Sequence, residues 1–70
     1  MNEVTINPDI LKGTPVFSGT RVPVRILFEY IESGENLNEF LEEFPSVSKE
    51  MAVATLEYAL KSMIDHAYTS

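Results

Sequence analysis

The segment Thr5–Val24, TINPDILKGTPVFSGTRVPV, constrains the fold of this chain more than any other stretch. It holds two of the three glycines, three of the four prolines and the basic residues Lys12 and Arg21, with Arg25 just beyond. Pro8 fixes its own φ and pushes Asn7 out of the helical region, so Asn7-Pro8 marks a turn. Lys12-Gly13-Thr14-Pro15 is a second break. Val16 to Val22 reads as two short extended pieces around Ser18-Gly19. Pro23 then falls in the first turn of a helix, where a missing N–H costs nothing. Residues so restrictive of the backbone specify a defined β/turn arm over residues 1–22.

Three helices are predicted after the arm. Val24, Leu27, Phe28 and Ile31 fall at i, i+3, i+4 and i+7, the spacing of one buried helical face. That helix spans 23–33, with Gly34 available as a left-handed cap. Asn36 and Glu39 form a capping-box pattern that opens a second helix over 36–44, whose apolar face is Leu37, Phe40, Leu41 and Phe44. Pro45 ends it, and Ser48 is a suitable N-cap for a long helix over 49–66. On this last helix Ala52, Leu56, Ala59, Leu60, Met63 and Ala67 form the expected stripe, while Met51, Val53, Ala54, Tyr58 and Ile64 lie off it. A helix with such apolar width is central to the core, or shared with another chain. The arm covering the extra face is the competing explanation.

Seventy residues make a single domain, spanning 1–70. A chain of this size buries only about 60% of its unfolded surface. The absence of cysteine removes disulfide staples and thiolate metal sites together. A cysteine-free chain without a signal peptide reads as cytoplasmic. No apolar run approaches the roughly 18 residues a membrane span needs. A thin core without staples points to a partner, and the last helix predicts a homodimer formed through Tyr58, Met63, Ile64 and Tyr68.

Charge is unevenly placed along the chain. The net charge of −6 divides into +1 over residues 1–25, −6 over 26–50 and −1 over 51–70. The middle third carries Glu29, Glu32, Glu35, Glu39, Glu42, Glu43 and Glu50 against Lys49 alone. Such acid disfavours a nucleic-acid surface there and suits either a basic partner or a plain solvated face.

The inventory for catalysis is short. His66 is the only histidine, nothing local orients its ring, and the carboxylates spread over helix faces instead of converging. The chain therefore reads as a binding protein and not an enzyme, with no cofactor, metal or small-molecule substrate. Its best polar candidates lie in and beside the arm: Lys12, Thr20, Arg21 and Arg25. Arginine offers a planar fork of donors suited to phosphate. The competing reading of Arg21 is internal, capping carbonyls or pairing with a glutamate such as Glu29.

The order Asn7-Pro8, Gly13, Pro15, Gly19-Thr20-Arg21 and Pro23-Val24 resembles the signature of a domain-of-unknown-function family, number 433. The likeness continues through Gly34, Pro45 and the Leu56/Tyr58-Ala59 pattern, covering nearly all of residues 4–60. The resemblance implies a mainly α domain of helix-turn-helix type, homeodomain-like or winged-helix-like, behind a short N-terminal β-type arm. Helices 36–44 and 49–66 would form the helix-turn-helix, although the link Pro45–Ser48 lacks the glycine often found there.

The functional role implied is the antitoxin half of a toxin–antitoxin pair, binding and neutralising a PIN-like ribonuclease toxin. Glu35, Glu39, Glu42 and Glu43 would supply a field suited to a nuclease surface, with Tyr58, Met63, Ile64 and Tyr68 as an apolar anchor. The alternative is a DNA-binding, autoregulatory homodimer using Lys12, Thr20, Arg21 and Arg25. Against it, the last helix offers Lys49 and Lys61 to Glu50, Glu57 and Asp65, so it brings no net positive charge to a phosphate backbone.

Overall fold

Short extended pieces separated by breakers, with one 3-10 turn at Leu11–Gly13 between them, form a hairpin before any α-helix begins. A computed structural model describes residues 3–69, with side chains described as far as residue 65. Strand β1 (Val4–Thr5) pairs antiparallel with β2 (Val16–Phe17), in the register Val4 to Phe17 and Thr5 to Val16. The Thr5 and Ser18 hydroxyls share a 2.8 Å hydrogen bond across the pair. On its other side β2 meets the extended Val22-Pro23: the Phe17 N–H donates to the Val22 carbonyl at 3.0 Å, and Val16 bridges Pro23. The two extended pieces expected around Ser18-Gly19 are thus present, and the arm pairs within its own chain.

Two turns shape this arm. The Thr20 N–H closes on the Phe17 carbonyl at 3.0 Å, and Gly19 at φ +77° occupies the position where a positive φ is required. The second turn is unusual: Leu11, Lys12 and Gly13 have φ of 47°, 56° and 85°, all left-handed. For the two non-glycine residues this costs about 1–2 kcal/mol each. It is held by bonds from the Gly13 N–H to the Ile10 carbonyl (3.0 Å) and from the Thr14 hydroxyl to the Leu11 carbonyl (2.8 Å).

The three helices follow as α1 (Val24–Glu32), α2 (Leu37–Glu43) and α3 (Lys49–Thr69). Pro23 stands one place earlier than expected, as the N-cap of α1, because its bridge to Val16 holds it extended at ψ 136°. Helix α1 ends in a Schellman arrangement: the Gly34 N–H reaches the Ile31 carbonyl and the Glu35 N–H the Tyr30 carbonyl, both at 3.0 Å, with Gly34 at φ +86°. The capping box of α2 is complete, with the Glu39 N–H on Asn36 Oδ1 at 2.9 Å and the Asn36 N–H on Glu39 Oε1 at 3.0 Å. Ser48 caps α3 by accepting from the Met51 N–H at 3.1 Å.

The arm is part of the core and not a cover over it. Val16, Phe17, Leu27, Phe40, Val47 and Ala52 are buried, so the arm contributes two of the principal core side chains. Phe40 is central among the aromatic rings: its centroid lies 5.9 Å from Phe17, 5.6 Å from Tyr30 and 5.2 Å from Phe44. Such tilted and edge-on pairs add to the burial of area alone. Leu37, Leu41 and Phe44 pack against this centre, as the spacing on α2 predicts.

Three expectations need correction. Ile31, placed on the buried face of α1, is 43% exposed, and Tyr30 takes its place against the α2 rings. Leu60 and Met63, placed on the inward stripe of α3, are 58% and 69% exposed because the helix outruns the body that packs against its first half. Helix α3 also continues past the expected end at residue 66, to Thr69. Val47, in the link after α2, and Thr55 on α3 are buried without having been singled out; the Thr55 hydroxyl satisfies itself on the Met51 carbonyl at 2.9 Å.

Candidate functional site

Helix α1 is apolar on two sides. Ile26, Leu27 and Tyr30 turn toward the core, Val24 both packs against the core and lines an open groove, and Phe28 lines that groove without joining the core. Val4 and Ile6 of the arm line it together with Tyr58, Ala59 and Ser62 of α3, around a hollow of about 480 Å³. Ile6 and Tyr58 remain 68% and 57% exposed, so the groove walls face solvent. The alternation Val4-Thr5-Ile6, which places Val4 and Ile6 on one side of an extended segment, was the available sequence signal for this groove. The sequence reading passed over it.

The acidic residues proposed for a partner lie together. Glu35, Glu39, Glu42 and Glu43 are all exposed, and the ion pair found among the described residues, Arg25 to Glu29 at 2.7 Å, involves none of them. Burial, and then the carboxylates of Glu43, Glu35 and Glu39, raise the Tyr30 phenol above its ordinary value. Three of the four acids therefore act on one phenol at the edge of the core. Glu39 is partly committed already, since its carboxylate closes the capping box.

That phenol makes a testable link to stability. A phenol with a raised folded-state value contributes stability that is complete below the unfolded value near 10 and is lost as pH climbs through the folded value. The melting temperature is therefore expected to fall above about pH 10, and less steeply in Tyr30→Phe, as followed by circular dichroism. An identical alkaline slope in both proteins would contradict the burial of the Tyr30 phenol and the carboxylates placed around it.

The basic candidates separate into different roles. The Thr20 hydroxyl donates to the Phe17 carbonyl at 2.8 Å and accepts from the Val22 N–H at 3.0 Å, so it latches the β2 turn. Lys12 and Arg25 share a hollow of about 380 Å³ with Leu11, Thr14 and Pro23, and Arg21 does not line it. The internal pairing considered for Arg21 belongs instead to Arg25, one turn from Glu29, and Arg21 is exposed. In the recognition position, the early part of α3 presents Lys49 with Glu50 and Glu57 around a shallow hollow, a net negative surface. Tyr58, Met63 and Ile64 are exposed at 57%, 69% and 45%. Tyr68, Ala67 and His66 lie outside the described side chains.

A small helical domain with a β arm, an apolar groove and an acidic helix face is the class defined by this geometry. Residues 4–59 match the family described as protein of unknown function, DUF433, and the chain belongs to that family. It is similar to the uncharacterized protein y4eO of Sinorhizobium fredii, with 47% identity over 47 residues, which is 67% of this chain. The matched part is only about a fifth (21%) of that protein's length. Among solved structures it resembles a DUF433 member protein from Anabaena variabilis at a TM-score of 0.74 and 26% identity, over 100% of this chain and 71% of the other. No helix among the described residues is long and apolar enough to cross a membrane.

Proposed function

We propose that this chain is an antitoxin-like interaction domain that binds and neutralises a PIN-like ribonuclease through its acidic α2 face. The observation supporting this reading is that Glu35, Glu42 and Glu43 are exposed on and beside one short helix and make no ion pair within the described chain. A nuclease surface that attracts RNA phosphates is electropositive, and an acidic inhibitor meets it with complementary charge. The exposed Tyr58, Met63 and Ile64 of α3 supply apolar area that a bound nuclease would cover in place of a second copy. Tyr68 completes the proposed anchor from the sequence. Co-expression with the product of a neighbouring gene tests the role: growth inhibition by a nuclease-like neighbour should be relieved by this chain. Absence of relief would remove it.

A second reading, a DNA-binding autoregulatory homodimer, draws on Lys12 and Arg25 sharing one hollow with Arg21 exposed nearby in sequence. Two copies would double these charges, whereas α3 carries −1 in net. Binding of upstream DNA in a gel shift at low salt, weakened by Arg21→Ala and Arg25→Ala and lost steeply as salt rises, is the expected result. No shift at low salt would discard this reading.

A further inference from the structure

We propose that the groove between the arm and α3 is filled, in the free protein, by the distal half of α3 from a second copy of this chain. The groove and a helix segment able to occupy it lie side by side on the same molecule. Phe28, Ile6 and Tyr58 line the groove, which runs along α3 as far as Ser62, and on the same stretch of α3 Leu60, Met63 and Ile64 stand 58%, 69% and 45% exposed. Each copy therefore carries both halves of the contact, the condition for an isologous two-fold interface.

Charge favours a second copy over a basic partner at this place. The chain carries −6 overall, and two copies meeting on their α2 faces would repel. Residues 58–65 contain Lys61 and Asp65 as their charged side chains and are net neutral. This surface lets two acidic chains approach while their α2 faces remain in solvent. Residues 60–69 of α3 extend about 15 Å beyond Ala59 at 1.5 Å per residue, so each copy offers a helical segment of nearly three turns to a neighbour's groove.

The inference does not depend on the α2 reading, and charge changes on α2 should leave it intact. Sedimentation equilibrium of the full chain from about 1 to 100 µM, a range set by ordinary dimer affinities, is expected to give twice the 7.9 kDa monomer mass at the upper end. Met63→Glu, on the inserted helix, and Ile6→Glu, on the groove wall, should each lower dimer affinity at least about tenfold. Both sites are more than 65% exposed, so helical circular dichroism should be retained. A monomer at all concentrations would overturn the proposal. So would a dimer weakened by Met63→Glu but indifferent to Ile6→Glu, since the helices would then be pairing away from the groove. A dimer indifferent to both changes would overturn it equally.

Discussion

Phe40→Ala is expected to remove most of the stability of this domain. A chain of 70 residues has about 3.5–10 kcal/mol of total stability. Deleting a fully buried phenylalanine costs about 3–5 kcal/mol in lost transfer energy and residual cavity. Phe40 has no exposed surface, and its ring meets Phe17 of the arm, Tyr30 of α1 and Phe44 at the end of α2. Its removal therefore loosens the arm and two helices at once, with little nearby chain free to close the gap. A fall in melting temperature of at least about 15 °C is expected for a domain of this size, measured by circular dichroism. Phe40→Leu, which keeps most of the volume, should lose about a third as much. A Phe40→Ala protein that melts within a few degrees of the parent would show that the aromatic cluster is not the centre of the core.

What the sequence made legible was local. Asn36 and Glu39 specify their capping box by two bonds three residues apart, and Gly34 and Gly19 stand where the backbone must be left-handed. The α2 stripe was equally plain, because all four of its apolar residues face one partner surface. Helix α1 was read less well: its apolar residues divide between the core and the groove, and periodicity reports one face at a time. Tyr30 was missed for a related reason. Its ring packs 5.6 Å and 5.9 Å from Phe40 and Phe44 while its hydroxyl end senses the α2 carboxylates, so it is neither an inner nor an outer residue.

The error on α3 has a different cause. Spacing identifies which face of a helix is apolar, but the length of the body packed against that face depends on the tertiary arrangement. Leu60 and Met63 continue the stripe of Ala52 and Leu56 in sequence and emerge into solvent in space. The groove was hidden because its walls come from β1, α1 and α3, which only the paired arm brings together. In the signature, Gly19 and Thr20 serve the turn, and Arg21 is the member left facing outward.

If the proposed nuclease partner is bound through the acidic face, reversing Glu35, Glu42 and Glu43 to lysine is expected to abolish that binding while the domain stays folded. Each reversal adds two charges, taking the net from −6 to 0. All three residues are exposed and outside the ion pair of the described chain, so their replacement breaks no bond that holds the fold. Glu39 is left intact because its carboxylate closes the α2 capping box, and losing that bond would confuse a binding defect with a helix defect. The corresponding glutamine variants, which remove charge without reversing it, should bind at least about tenfold more weakly at low salt. That difference should narrow toward 1 M salt, where the screening length falls to about 3 Å. Titration calorimetry against the co-expressed nuclease, with the chain's own mass checked in parallel, measures the effect. If the lysine variant still binds at parental affinity and the dimer is unchanged, the acidic face is a solvated surface and recognition must come from the apolar side of α3.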